Sequence, residues 1–90
     1  MQYKDEKTLQ LRNTLGKVCK NYREKMGMSC NNFEAAFDFS KGNFNRIENG
    51  VVDCKFITLW KISEALGMKP SEFVKVLEDK LGEDFSLIDE

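Results

Sequence analysis

Lys41, Asn43, Asn45 and Arg46 fall within six residues of one another, with Ser40 just before them and Asn49 just after. Their chemistry is that of hydrogen-bond reading. An arginine fork fits the O6/N7 edge of guanine, and an asparagine amide can pair with the N6/N7 edge of adenine. A lysine at this place suits a phosphate or a guanine. The same residue types also clothe any solvated helix, so their meaning depends on the element that carries them. Other chemistry is scarce. The chain has no histidine, which removes Ser–His and Cys–His nucleophile pairs and every imidazole zinc site. Cys19, Cys30 and Cys54 are odd in number and widely spaced, with no Cys-x-x-Cys pair among them. That pattern indicates free thiols in a reducing compartment, not a zinc ribbon or a disulfide scaffold. With no Gly-rich phosphate loop and no clustered carboxylate pair, the residues predict no metal, no cofactor and no enzymatic activity.

The chain that carries these residues has 90 positions, 41% of them hydrophobic and 32% charged, with a single proline. This describes one globular helical domain and argues against disorder or low complexity. No apolar run approaches the roughly 20 residues that span a bilayer, and Met1–Lys7 is too polar for a secretory signal. The expectation is a cytoplasmic protein without membrane contact, and without room for a separate ligand-sensing domain. The net charge of −1 hides a division. Residues 1–50 carry a net +3 and residues 51–90 a net −4. A basic first half suits a polyanionic partner, though the excess is small.

Hydrophobic spacing and capping residues divide the chain into five helices. Leu11, Leu15, Val18, Cys19, Tyr22 and Met26 trace one stripe of a first helix from about Thr8 to Met26, closed by Gly27. Ser29 is placed to cap a second helix, Cys30 to Phe37, whose inner face carries Phe33 and Phe37. After the turn Asp38-Phe39, Ser40 is placed to cap a third helix from Lys41 to Asn49, with Phe44 and Ile47 inward and Gly50 at its end. A loop, Val51 to Lys55, leads to a fourth helix from about Phe56 to Leu66, burying Phe56, Leu59, Ile62, Ser63 and Leu66. Pro70 opens a fifth, with Phe73 and Leu77 inward, and Gly82 ends it. The predicted division is an N-terminal arm at 1–8, a helical domain at 9–81 and an acidic tail at 82–90.

The second and third helices with their tight turn form a helix-turn-helix. From Ser29 to Gly50 the chain resembles the core of Cro/repressor-type (XRE-type) DNA-binding domains, including the family's ending in Ile47-Glu48-Asn49-Gly50. Phe56 to Gly67 looks like the family's fourth helix and Leu15 to Ser29 like its first, and the resemblance covers about residues 9–78. It implies an all-α, five-helix, lambda-repressor-like domain with the helix-turn-helix at helices 2 and 3, whose third helix enters the major groove of double-stranded DNA. It implies a DNA surface of Ser29, Cys30, Ser40, Lys41, Gly42, Asn43, Asn45, Arg46 and Asn49. Arg46 and either Asn45 or Asn43 would be on bases, Lys41 on a phosphate or a guanine, and Asn49 on phosphate. It also implies that Arg23 pairs internally with Glu48, fixing the first helix against the end of the third.

The chain departs from the family's pattern at several places. Cys30 stands where a phosphate-contacting glutamine is usual, Glu34 where a small alanine is, and Asp38 at the turn glycine. On this reading Glu34 would crowd the third helix or have to reach solvent, and Asp38 would adopt a left-handed conformation at some cost. Gly42 replaces a frequent base-reading position, and Val51-Val52-Asp53 a loop often basic. Each change weakens the DNA surface and none threatens the fold. The leading expectation is a sequence-specific transcriptional regulator, a repressor, binding a palindromic operator as a homodimer. The alternative is a helix-turn-helix module acting through a protein partner, antitoxin-like or anti-repressor. Ile57, Trp60 and Val74 exceed what the core can take, and with the tail residues Phe85, Leu87 and Ile88 they are the candidate dimer contact.

Overall fold

The computed structural model describes residues 2–88, so Met1 of the expected arm and Asp89 and Glu90 of the expected tail lie outside the described residues. Five helices follow in order: α1 (Gln2–Lys25), α2 (Cys30–Ala36), α3 (Asn43–Glu48), α4 (Phe56–Ala65) and α5 (Pro70–Leu81). Among the described residues there is no strand, and no helix is long and apolar enough to cross a membrane. Helix α1 starts at Gln2, not near Thr8. The stretch before Thr8 has no proline or glycine to stop it, and its Lys and Glu favour a helix.

Each helix gives one face to a common core. Leu15, Val18 and Cys19 come from α1, Phe33 from α2, Phe44 and Ile47 from α3, Ile62 and Ala65 from α4, and Phe73 and Leu77 from α5. Phe33 lies at the centre of an aromatic cluster, its ring centroid 4.4 Å from Phe44, 4.8 Å from Phe37 and 5.8 Å from Phe39. Such tilted and offset contacts add to the burial of the rings themselves. Phe56 does not join this core. It is 71% exposed and meets the Trp60 ring edge-on, centroids 6.0 Å apart. As the first residue of α4 it lies past the inner stripe that Ile62, Ser63 and Ala65 bury, while Val52 and Cys54 of the preceding loop pack against the core.

Polar clamps hold the connections. Arg12 of α1 donates to Asp53 at 2.7 Å, tying down the loop after α3. Lys61 of α4 donates to the Asp38 carbonyl, and its ammonium lies 4.7 Å from the centre of the Phe39 ring. The tail turns back at Gly82 (φ 91°). Phe85 is half-buried in a cleft with Leu11, Val74 and Leu77, and Leu87 lines a second cleft of about 300 Å³ with Leu11, Leu15, Leu59 and Leu77. The tail therefore has intramolecular partners that its sequence position did not suggest.

Helices α1 and α3 cross at Gly16, where an added Cβ would stand 2.2 Å from the Glu48 carbonyl oxygen and 2.9 Å from that of Ile47. These obstacles are backbone, so nothing flexible can yield. Gly16→Ala is expected to cost at least about 1–3 kcal/mol by overpacking. Gly27→Ala, at φ +73° but with nothing within 4 Å, should cost only the left-handed backbone penalty of about 1–2 kcal/mol. Urea midpoints of the two variants check this, and a Gly16→Ala midpoint equal to wild type would refute the close crossing.

Candidate nucleic-acid interface

Helix α2 starts as its sequence suggests, with the Ser29 hydroxyl accepting from the Asn32 amide at 3.1 Å. Asp38 takes the left-handed conformation at the turn, φ 62°. The start of α3 is different. Ser40 does not cap it; its carbonyl accepts from Asn43 at 2.9 Å in a turn that also contains Lys41. The N-cap is Gly42 (φ 83°), which has no side chain to satisfy the helix's first amides.

The missing acceptor comes from α2. Glu34, 4% exposed, accepts from the Gly42 amide through Oε1 at 2.9 Å and from the Asn45 amide through Oε2 at 3.0 Å. Asn45 is the third residue of α3, so the second bond does what a capping side chain ordinarily does from within the chain. The expected crowding at Glu34 is therefore corrected: the carboxylate neither clashes nor reaches solvent but is consumed as a cap. A negative charge there also meets the positive end of the helix dipole.

The other end of α3 holds the reverse arrangement. Glu48 lies in the last turn, where the dipole disfavours a carboxylate, and Arg23 neutralises it. Arg23 Nε donates to Oε2 at 2.6 Å and Nη2 to Oε1 at 3.1 Å, while Nη1 donates to the Met28 carbonyl at 2.7 Å. The two side chains are 10% and 5% exposed. Hydrogen bonding to Glu48 raises the pKa of Arg23 further above its ordinary value, against the opposing effect of burial.

Between these anchors α3 presents its outer face. Asn45, Arg46 and Asn49 are exposed, as are Ser40 and Lys41 in the preceding turn, while Gly42 and Asn43 are half-buried. Asn49 donates to the Asn45 side-chain oxygen at 3.2 Å, which orients the Asn45 amide. Cys30, half-buried at the start of α2, has its thiol pKa raised by burial and by the carboxylates of Glu48 and Glu34, with a hydrogen bond to Asn45 opposing. Burial pushes Cys54 up to about 11 and Cys19 higher still, so all three thiols are neutral near pH 7. Asn43 and Arg46 line a cleft of about 300 Å³ with Asp53, Lys55 and Thr58, where α3 meets the start of α4. A Cβ on Gly42 would stand 3.2 Å from Arg46 Nη1, so the absent side chain gives the guanidinium its room. Among the described residues no three Cys, Asp or Glu side chains gather as a metal cage.

The candidate dimer residues differ in exposure. Ile57 is 80% exposed, Trp60 48%, Ile88 77% and Leu87 45%, and Val74 sits at the border of exposure. Phe85 is half-buried against its own chain, and Phe56, an inward position by periodicity alone, joins Ile57 and Trp60 at the surface. The role of Glu34 also escaped the sequence. Its one visible signal was Gly42, a helix start without its own cap.

Two short helices at a fixed turn, packed on three others and presenting polar side chains from the second, define a helix-turn-helix DNA-binding domain. The family model of the Cro/C1-type HTH DNA-binding domain matches residues 20–79, from the second half of α1 to nearly the end of α5, and the chain belongs to that family. Neither a curated protein nor a solved structure matches it significantly.

Removing the Glu48 carboxylate would leave Arg23 buried and unpaired, with only the Met28 carbonyl as acceptor. Glu48→Ala is expected to cost about 3–5 kcal/mol of stability, far above the loss of an exposed ion pair such as Lys75–Asp79 at about 0.3–0.5. Thermal and urea melts compare the two directly. Equal small losses would refute the anchoring role.

Proposed function

We propose that this chain is a sequence-specific transcriptional regulator, a cytoplasmic repressor that binds a palindromic operator as a homodimer. The observation that carries the reading is the outer face of α3, whose Asn43, Asn45 and Arg46 ride on a short helix anchored at both ends by buried carboxylates. Arg46 lies a full turn beyond Gly42 and reads a guanine edge; Asn45 or Asn43 reads adenine. Lys41 precedes the helix and sits on phosphate, joined by Asn49 and by Ser29 and Cys30 at the start of α2.

The homodimer reading is supported by Phe56, Ile57 and Trp60, a run of exposed apolar side chains on α4. A two-fold contact there would set two recognition helices about one DNA turn apart. Phe85 contributes less than its sequence position suggests, because it is half-buried on its own chain. One observation favours a protein partner instead: Lys41 and Arg46 are the sole cations on or just before α3, and the loop behind them carries Asp53. That partner would be of the antitoxin or anti-repressor kind.

Matched salt titrations on a selected duplex and a scrambled one separate these readings. Arg46→Ala should cost about 1–3 kcal/mol on the selected site and relax preference at one base pair per half-site. Lys41→Ala should weaken both duplexes alike and lower the log–log salt slope by about one per subunit. If both substitutions leave both affinities unchanged, α3 does not read DNA and the protein-partner reading replaces this one. For the dimer, Ile57→Asp should leave the fold within about 0.5 kcal/mol, as surface substitutions do, yet shift sedimentation to the monomer. A variant that sediments like wild type would remove α4 from the interface.

A further inference from the structure

We propose that Glu34 is a positioning residue that sets DNA selectivity: it fixes the presentation of Asn43, Asn45 and Arg46, and its charge holds down affinity for DNA of arbitrary sequence. The role rests on the DNA-reading function proposed above. Glu34 stands on α2 but both its carboxylate oxygens are bonded to the start of α3, at 2.9 and 3.0 Å. A two-point clamp from one helix to the next fixes both the separation and the rotation of α3 in a way that a cap within α3 cannot. Asn45 is held most firmly, its amide by Glu34 and its side-chain oxygen by Asn49. A base-reading group has to be held within about 0.5 Å of its productive place for its hydrogen bonds to discriminate, and this clamp acts on the residue that would do so.

The charge acts separately from the geometry. Non-specific binding to duplex DNA comes from cations on phosphate, and the recognition surface offers few. Lys41 and Glu34 line the same groove beside α2 and the turn, together with Asn31, Ala35 and Phe39. A carboxylate at 4% exposure is poorly screened by salt, so it subtracts from the field of Lys41 and Arg46 at the surface that phosphates approach. Selective binding gains from the rigid clamp while indiscriminate binding is weakened by the charge. Removing Glu34 should move the two in opposite directions, which a purely structural residue would not do.

Glu34→Gln and Glu34→Ala test this, with affinity for a selected and a scrambled duplex measured at one salt concentration below the melting range of each variant. Glu34→Gln keeps the shape and one acceptor, so it carries the test where Glu34→Ala does not fold. The ratio of selected to scrambled affinity is expected to fall about tenfold or more, with scrambled affinity above wild type. In amide exchange, Gly42 and Asn45 should lose protection in the same variants. A ratio unchanged in a folded variant, or a loss equal on both duplexes, overturns the role while the DNA reading stands. A wild-type protein that binds neither duplex overturns both.

Discussion

A six-residue helix cannot supply its own ends. Its orphan amides and carbonyls outnumber the bonds it makes internally, and nucleation alone costs more than so short a run returns. Helix α3 is such a helix, and it carries the candidate reading face. It persists because the backbone amides of Gly50 and Val51 return to its last carbonyls and two carboxylates hold it in place: Glu34 from α2 on its first amides, and Glu48 of its own last turn paired with Arg23 of α1. The two are not equivalent. Glu34 sits where the helix dipole favours it and needs no cation. Glu48 sits where the dipole opposes it and is stable only with the bidentate guanidinium.

The rest of the molecule serves to keep those two anchors in place. Arg23 reaches Glu48 because Gly16 lets α1 approach the last turn of α3 backbone to backbone, and its third bond, to the Met28 carbonyl, fixes the α1–α2 connection as well. Glu34 reaches Gly42 because Phe33, its neighbour in sequence, is buried at the centre of the aromatic cluster that joins α2 to Phe44 of α3. Asp38 pays a left-handed backbone between them, and Lys61 from α4 holds that turn by its carbonyl. Lysine at this spot does two jobs, since its stem and ammonium also cover the Phe39 ring.

Most of this architecture is legible in the sequence because most of it is local. Ser29 caps α2, Pro70 opens α5, and Gly27, Gly50, Gly67 and Gly82 mark the ends of helices with positive φ. Each signal acts over a few residues and needs no tertiary knowledge. What the sequence misplaces is what depends on distant partners. Ser40 has the right side chain for a cap, yet the acceptor that wins lies eleven residues before Asn45, on another helix. Phe56 continues the apolar period of α4, but the period cannot say that the core ends one turn short of it. The tail looks unpartnered because Leu11 and Leu59, which line its cleft, are far away in the chain. At the reading face, residue types were legible and their constraint was not: Asn45 is as plain as any surface asparagine until Glu34 and Asn49 are seen to hold it.

The distribution of charge gives the site its physical character. The chain is slightly acidic overall, with a net charge of −1, yet the two carboxylates that hold α3 are spent inside the fold, Glu34 on amides and Glu48 on Arg23. What remains outward there is Lys41 and Arg46, with Lys55 and the Arg12-paired Asp53 at the edge of the cleft that Arg46 shares. Two or three cations displace few counterions, and each phosphate neutralised contributes a slope of only about 0.9. On the proposed reading, one subunit alone would therefore hold DNA weakly at physiological salt. A second subunit in a fixed register turns the second half-site into an intramolecular encounter, and the gain from that linkage does not depend on adding cations. A sparse basic surface and a two-fold operator are then consequences of one another: the fewer phosphates each subunit grips, the more of the binding must come from correct bases met twice.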